Sequence, residues 1–96
     1  MAEFSLSKKA TSDLDDIADY TFETFGERQA DKYASEPQGT FQLLAERSRM
    51  GKTVGNFAAG LRSYPFEAHV IYYLIQDDHV FIVRILHHSR DAKRHL

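Results

Sequence analysis

Apolar positions are densest over residues 69–91, HVIYYLIQDDHVFIVRILHHSRD. Two runs, 69–76 and 79–86, flank Asp77-Asp78 and are rich in Val, Ile, Tyr and Phe, side chains that suit a pleated, half-buried surface. Aspartate tolerates turn geometry and hydrogen-bonds its own backbone, so the pattern predicts a tight β-hairpin. A loop made of the two aspartates alone sets Gln76 opposite His79, Leu74 opposite Phe81 and Tyr72 opposite Val83, and opposed residues share a face. One face then holds Val70, Tyr72, Leu74, Phe81, Val83 and Ile85. The other holds His69, Ile71, Tyr73, Ile75, Val80, Ile82, Arg84 and Leu86. Both are largely apolar, so the hairpin needs two covers.

Upstream, residues 3–6 alternate and predict a short first strand. Ser7 is placed to cap a helix opening at Lys8, because its hydroxyl can accept an orphan backbone N–H. Ala10, Leu14, Ile17, Thr21 and Phe25 follow in steps of three and four, one face of an α-helix that Gly26 ends. A second helical pattern runs from Glu27 with a face of Ala30, Tyr33, Pro37, Phe41 and Leu44. Pro37 and Gly39 interrupt it. An interior proline costs about 3 kcal/mol, so the expectation is a kink or two shorter helices broken near 35–38. The short connection at Gly26 makes the helices antiparallel neighbours. Residues 47–60 carry three glycines without periodicity and read as the main loop. Residues 61–66 read as a strand that ends or bulges at Pro65, which cannot donate to a ladder. The order is β-α-α-β-β-β: an α+β domain spanning 1–96, with a helical hairpin packed on one face of an antiparallel sheet. The helices cover one face only, and a sheet face left open with Ile71, Tyr73, Ile75, Val80, Ile82 and Arg84 implies a protein partner.

Ninety-six residues make one core, and the absence of cysteine excludes a disulfide framework and thiolate metal sites. No apolar run near the N-terminus is long enough for a signal peptide or a membrane span, so a cytoplasmic protein without membrane contact is expected. The net charge of −2 conceals an asymmetry. Residues 1–50 carry 6 Lys/Arg and 10 Asp/Glu, whereas residues 51–96 carry 6 and 4. The acid gathers at Asp13, Asp15, Asp16, Asp19 and Glu23, mostly off the apolar helix face, where solvation is the expected role. The base gathers at Arg84, Arg90, Lys93 and Arg94, a tail suited to an acidic surface or a phosphate backbone, or simply to water.

No metal motif or cofactor fingerprint is present. His87 and His88 are adjacent, so on a strand they point to opposite faces and do not share one ion. One constellation carries chemistry. Arg62 and Arg84 can lie on one sheet face with His87 or His88 near the strand end. Two arginines can clamp a phosphate while a histidine moves a proton, the minimum for cleaving RNA through its own 2′-hydroxyl. The simpler account is that both arginines pair with carboxylates or flank an interface.

The set Leu6-Ser7, Ala10, Asp13-Leu14, Ile17, Tyr20-Thr21, Phe25-Gly26-Glu27, Gln29-Ala30, Tyr33, Phe41, Leu44-Ala45 and Met50-Gly51-Lys52 resembles the first half of ParE toxins of the RelE/ParE superfamily. Gly60-Leu61-Arg62, 69–73, 84–87 and Asp91 match the same pattern, so the resemblance spans nearly the whole chain. It implies the toxin of a bacterial type II toxin–antitoxin module that poisons DNA gyrase by direct binding and is not an enzyme. It also implies neutralisation by a ParD-like antitoxin, through which alone operator DNA is bound. On that reading Arg84, Arg90, Lys93 and Arg94 are target contacts, and Ile71, Tyr73, Ile75, Val80, Ile82 and Arg84 meet the antitoxin. The competing implication is a RelE-like ribosome-dependent mRNA endoribonuclease using Arg62, Arg84, His87 and His88. A third is a diverged relative with another target or none. The chain departs from the family at Pro37 and Gly39, where relatives continue an apolar helix, and at Ser48 and Arg49, where a proline is common.

Overall fold

Ser7 closes a strand and opens a helix. Its N–H donates to Ile82 O (2.9 Å), its hydroxyl donates to Val83 O (2.7 Å), and the same oxygen accepts the Ala10 N–H (2.9 Å). A computed structural model describes residues 3–55, 58–77, 79–90 and 92–96, apart from the side chains of 33, 34 and 93. β1 (Glu3–Leu6) leads into α1 (Lys8–Phe25) and α2 (Glu27–Glu46). β2 (Lys52–Thr53), β3 (Leu61–Phe66), β4 (His69–Ile75), β5 (His79–His87) and α3 (Ala92–His95) follow. Among the described residues no helix is long and apolar enough to cross a membrane.

The five strands form one sheet in the order β1-β5-β4-β3-β2. β2 to β5 run antiparallel, but β1 lies parallel to β5, so the sheet is mixed where an antiparallel one was expected. The α1–α2 hairpin carries the chain away from β1 and back, and the meander then delivers β5 beside it. The expected loop 47–60 contains the two-residue strand β2, and β3 continues through Pro65 to Phe66. Pro65 is tolerated because β2 pairs only Arg62 and Ser63 of β3, leaving the proline beyond that pairing.

The helices lie on one sheet face. Ala10, Phe41, Leu44, Ile71, Tyr73, Val80, Ile82 and Ile85 form the main core, with Phe4 and Phe41 rings 5.5 Å apart. Phe25, expected on the buried stripe of α1, is 66% exposed at the last position of the helix. α2 is one continuous helix with Pro37 buried inside, not two. The hydroxyl of Ser35, in the same stretch, donates back to Asp31 O (3.3 Å) and Lys32 O (3.2 Å), whereas the N–H that Pro37 lacks would have bonded the carbonyl of residue 33. The Tyr33 side chain lies outside the described residues.

The hairpin keeps the expected pairs near its turn. Gln76 N–H donates to His79 O (2.8 Å) and Leu74 opposes Phe81; Asp78 lies outside the described residues. A β-bulge then shifts the register between Tyr72 and Tyr73, so Tyr72 opposes Arg84 and not Val83. A bulge puts two residues against one, which reverses the inside–outside assignment beyond it. Ile85 therefore turns toward the helices and Leu86 away from them. On the far face Leu61, Tyr72, Leu86 and Ala92 form a second cluster flanked by Val54, Val70, Leu74 and Val83. The second cover is thus supplied in part by α3, where only a polar tail was expected.

Candidate functional site

Where β1 ends at Leu6, the upper half of β5 loses its neighbour strand, and α1 runs past that open edge. Asp13 on α1 takes the place of the missing strand. Its Oδ2 accepts the Ile85 N–H (3.0 Å) and the Arg84 Nε–H (2.8 Å), and Oδ1 accepts from Arg84 Nη2 (2.9 Å). Arg84 Nη1 donates to His95 O (2.7 Å), so one guanidinium ties α1 to α3. The hydrogen bond to Asp13 holds the guanidinium above its ordinary pKa, against the downward push of burial and together with the Asp13 charge. Side-chain exposures of 14% and 12% make this a largely desolvated, bidentate pair.

Beyond the pair, α1, the start of α2, the β3–β4 turn and the exit of β5 enclose a groove of about 760 Å³. Its α1 wall carries Asp16, Ile17, Tyr20 and Phe25, and Tyr20 is 65% exposed. Its opposite end carries His69, His87 and Arg90. The His87 and His88 rings are 4.4 Å apart, because the strand stops at His87 and the chain turns; they do not point to opposite faces as expected. His69 meets His87 edge-on at 5.5 Å. His87 Nδ1 accepts the Ser89 N–H (3.2 Å) and lies 2.7 Å from Ser89 Oγ. His69 Nδ1 is buried without a partner among the described residues. Burial, then the charges of His87 and His88, push His69 below the ordinary histidine pKa, and Asp13 partly offsets them. No group of three or more His, Asp or Glu among the described residues is placed to hold a metal.

The candidate residues from the sequence are only partly brought together. Arg84, His87 and Arg90 border the groove, Arg94 is exposed on α3, and the Lys93 side chain lies outside the described residues. Arg62 does not join Arg84. The two sit on strands separated by β4, about 10 Å at the backbone, and Arg62 donates to Gly51 O (2.6 Å) and Arg49 O (3.3 Å). Ile71, Tyr73, Val80 and Ile82 are fully covered by the helices, so they do not form an open face; among the expected antitoxin contacts Ile75 is 42% exposed. The reason is which sheet face the helices chose, a choice the doubly apolar hairpin left open. Tyr20 and Phe25 were not among the site residues expected from the sequence, where Phe25 belonged to the buried stripe; both line the groove and are exposed.

The protein-family model for the ParE toxin of the type II toxin-antitoxin system, parDE, matches residues 4–92. The chain belongs to the ParE toxin family. It is therefore the toxin component of a type II toxin–antitoxin system. Toxin ParE1 of Caulobacter vibrioides is 40% identical over 96 residues, covering 100% of this chain and 99% of that protein. Toxin ParE1 of Mycobacterium tuberculosis is 28% identical over 99% of this chain and 98% of its own length. A chain of the chromosomal ParDE system from P. aeruginosa shares the fold, with a TM-score of 0.77 at 21% identity over 91% of this ParE-family chain and 96% of that one.

Proposed function

We propose that this ParE-family toxin arrests growth in the cytoplasm by binding DNA gyrase, without enzymatic turnover. A ParD-like antitoxin neutralises it by laying a polypeptide segment in the groove between α1 and β5, and operator DNA is bound only through that antitoxin. The observation that supports this most is the groove itself. Along α1 it presents Ile17, Tyr20 and Phe25 beside Asp16, and at the β5 exit Arg90, so its exposed Tyr20 and Phe25 suit an amphipathic segment whose acidic end meets Arg90. A supercoiling assay with purified gyrase tests the target. Inhibition and trapped cleavage complexes at micromolar toxin are expected, and their absence would remove gyrase from the account. Tyr20→Ala with Phe25→Ala should weaken binding of the antitoxin from the adjacent reading frame at least tenfold.

The endoribonuclease reading draws on the His69–His87–His88 cluster. Against it, Arg84 is committed to Asp13 and His95 O, and Arg62 to the backbone of the 49–51 loop, so these two arginines are not free to clamp one phosphate. Primer extension on mRNA after induction separates the two. Codon-dependent cuts that vanish in His87→Ala would favour the nuclease.

A further inference from the structure

The loop after α2 is braced more heavily than a connection needs. Tyr73 is wholly buried, yet its hydroxyl donates to Ser48 O (2.7 Å) and accepts the Gly51 N–H (2.9 Å). Arg62 clamps Gly51 O and Arg49 O, and the Met50 N–H donates to Arg47 O (3.0 Å). Gly51 has no room for a side chain: a Cβ there would sit 2.5 Å from Tyr73 Oη and 2.7 Å from Ser63 O. Polar backbone groups are thus consumed on the inner side, while Arg47, Arg49, Met50 and Lys52 remain exposed. The three cations make no side-chain hydrogen bond or ion pair among the described residues, and in sequence only Glu46 offsets them within 46–52. Arg47 at the C-terminal cap suits the helix dipole, but that accounts for one charge and not for Arg49, Lys52 or the exposed methionine.

We propose that Arg47, Arg49, Met50 and Lys52 form a second contact surface, the effector face of the toxin, which docks on an acidic protein surface with an apolar recess for Met50. The proposal rests on the toxin reading and deepens it. Methionine and arginine are enriched in protein interfaces, whereas a phosphate backbone offers nothing to Met50. A loop fixed before docking loses little conformational entropy on binding. The surface also lies away from the groove. The groove is built on β5 and this loop on β2, at the far edge of the sheet, about 14 Å away at three strand spacings.

The test compares Arg47→Glu/Arg49→Glu with Lys8→Glu/Lys9→Glu, which changes net charge equally at exposed positions of α1, and with Met50→Ala. Unchanged melting temperatures establish folding. Growth arrest on induction is expected to weaken at least tenfold in the loop variant, at least threefold in Met50→Ala, and not in the α1 control. Binding to immobilised DNA gyrase should follow the same order. Arrest that survives the loop substitutions, or falls equally in the control, overturns the proposal. So does wild-type binding to a 30-bp duplex that the loop variant loses, since the surface would then read nucleic acid. If the wild type arrests growth without binding gyrase while the loop variant does not, the surface stands and the gyrase target falls. A wild type that arrests no growth removes both.

Discussion

At the scale of single residues, Asp13 does more than its place in an acidic run suggests. It substitutes for a strand at the β5 edge and anchors Arg84, which in turn holds α3. Removing one member of a desolvated pair leaves the other charge buried, so Asp13→Ala should cost about 2–4 kcal/mol in urea unfolding. The same change should speed proteolysis at the C-terminus. His69 makes stability depend on pH. Its folded pKa lies below the ordinary value of about 6.5, through burial first and then His87 and His88, with Asp13 opposing. The unfolded chain takes up this proton more readily, so stability is complete above about pH 6.5 and declines as pH falls below it toward the depressed value. Comparing melting temperatures at about pH 7.5 and 5.5 checks this. His69→Gln should reduce the difference, and an unchanged difference would assign it to other groups.

Among the elements, α2 shows how packing overrides propensity. Pro37 lacks the N–H its helix needs, yet the helix runs unbroken because Phe41 and Leu44, both fully buried, fasten its second half to the sheet. Restoring the hydrogen bond recovers about 3 kcal/mol and trimming the ring loses roughly 1, so Pro37→Ala should stabilise the protein by about 1–2 kcal/mol. A lower denaturation midpoint for that variant would show that the ring's packing dominates. The hairpin teaches a different lesson. Its strand limits and its turn were legible from alternation and from the two aspartates, but the bulge at Tyr72 was not. No residue type there demands one. It falls where β1 stops pairing with β5 at Ile82 and the Asp13 contacts to Arg84 and Ile85 begin, neighbours remote in sequence.

For the molecule as a whole, the decisive fact is that the sheet is apolar on both sides and the chain covers one fully and the other in part. The helices bury one face, and α3, latched by Arg84, shields Leu86 and Tyr72 on the other. Deleting 92–96 should therefore lower the melting temperature and raise binding of a hydrophobic dye. A truncated chain that melts unchanged would mean the second cluster contributes little. The α1–β5 groove and the Arg47–Lys52 loop are the two surfaces proposed above for partners. Local pattern determined the elements, because a Ser cap, a Gly stop and alternating β-branched residues act within a few positions of themselves. It also carried the resemblance to ParE toxins over the whole chain. Tertiary structure alone decided which hairpin face the helices cover, that Asp13 finds Arg84 71 positions away, and that the C-terminus folds back. Those outcomes depend on three-dimensional neighbours and on competition between two nearly equal apolar faces, and no local spacing encodes either.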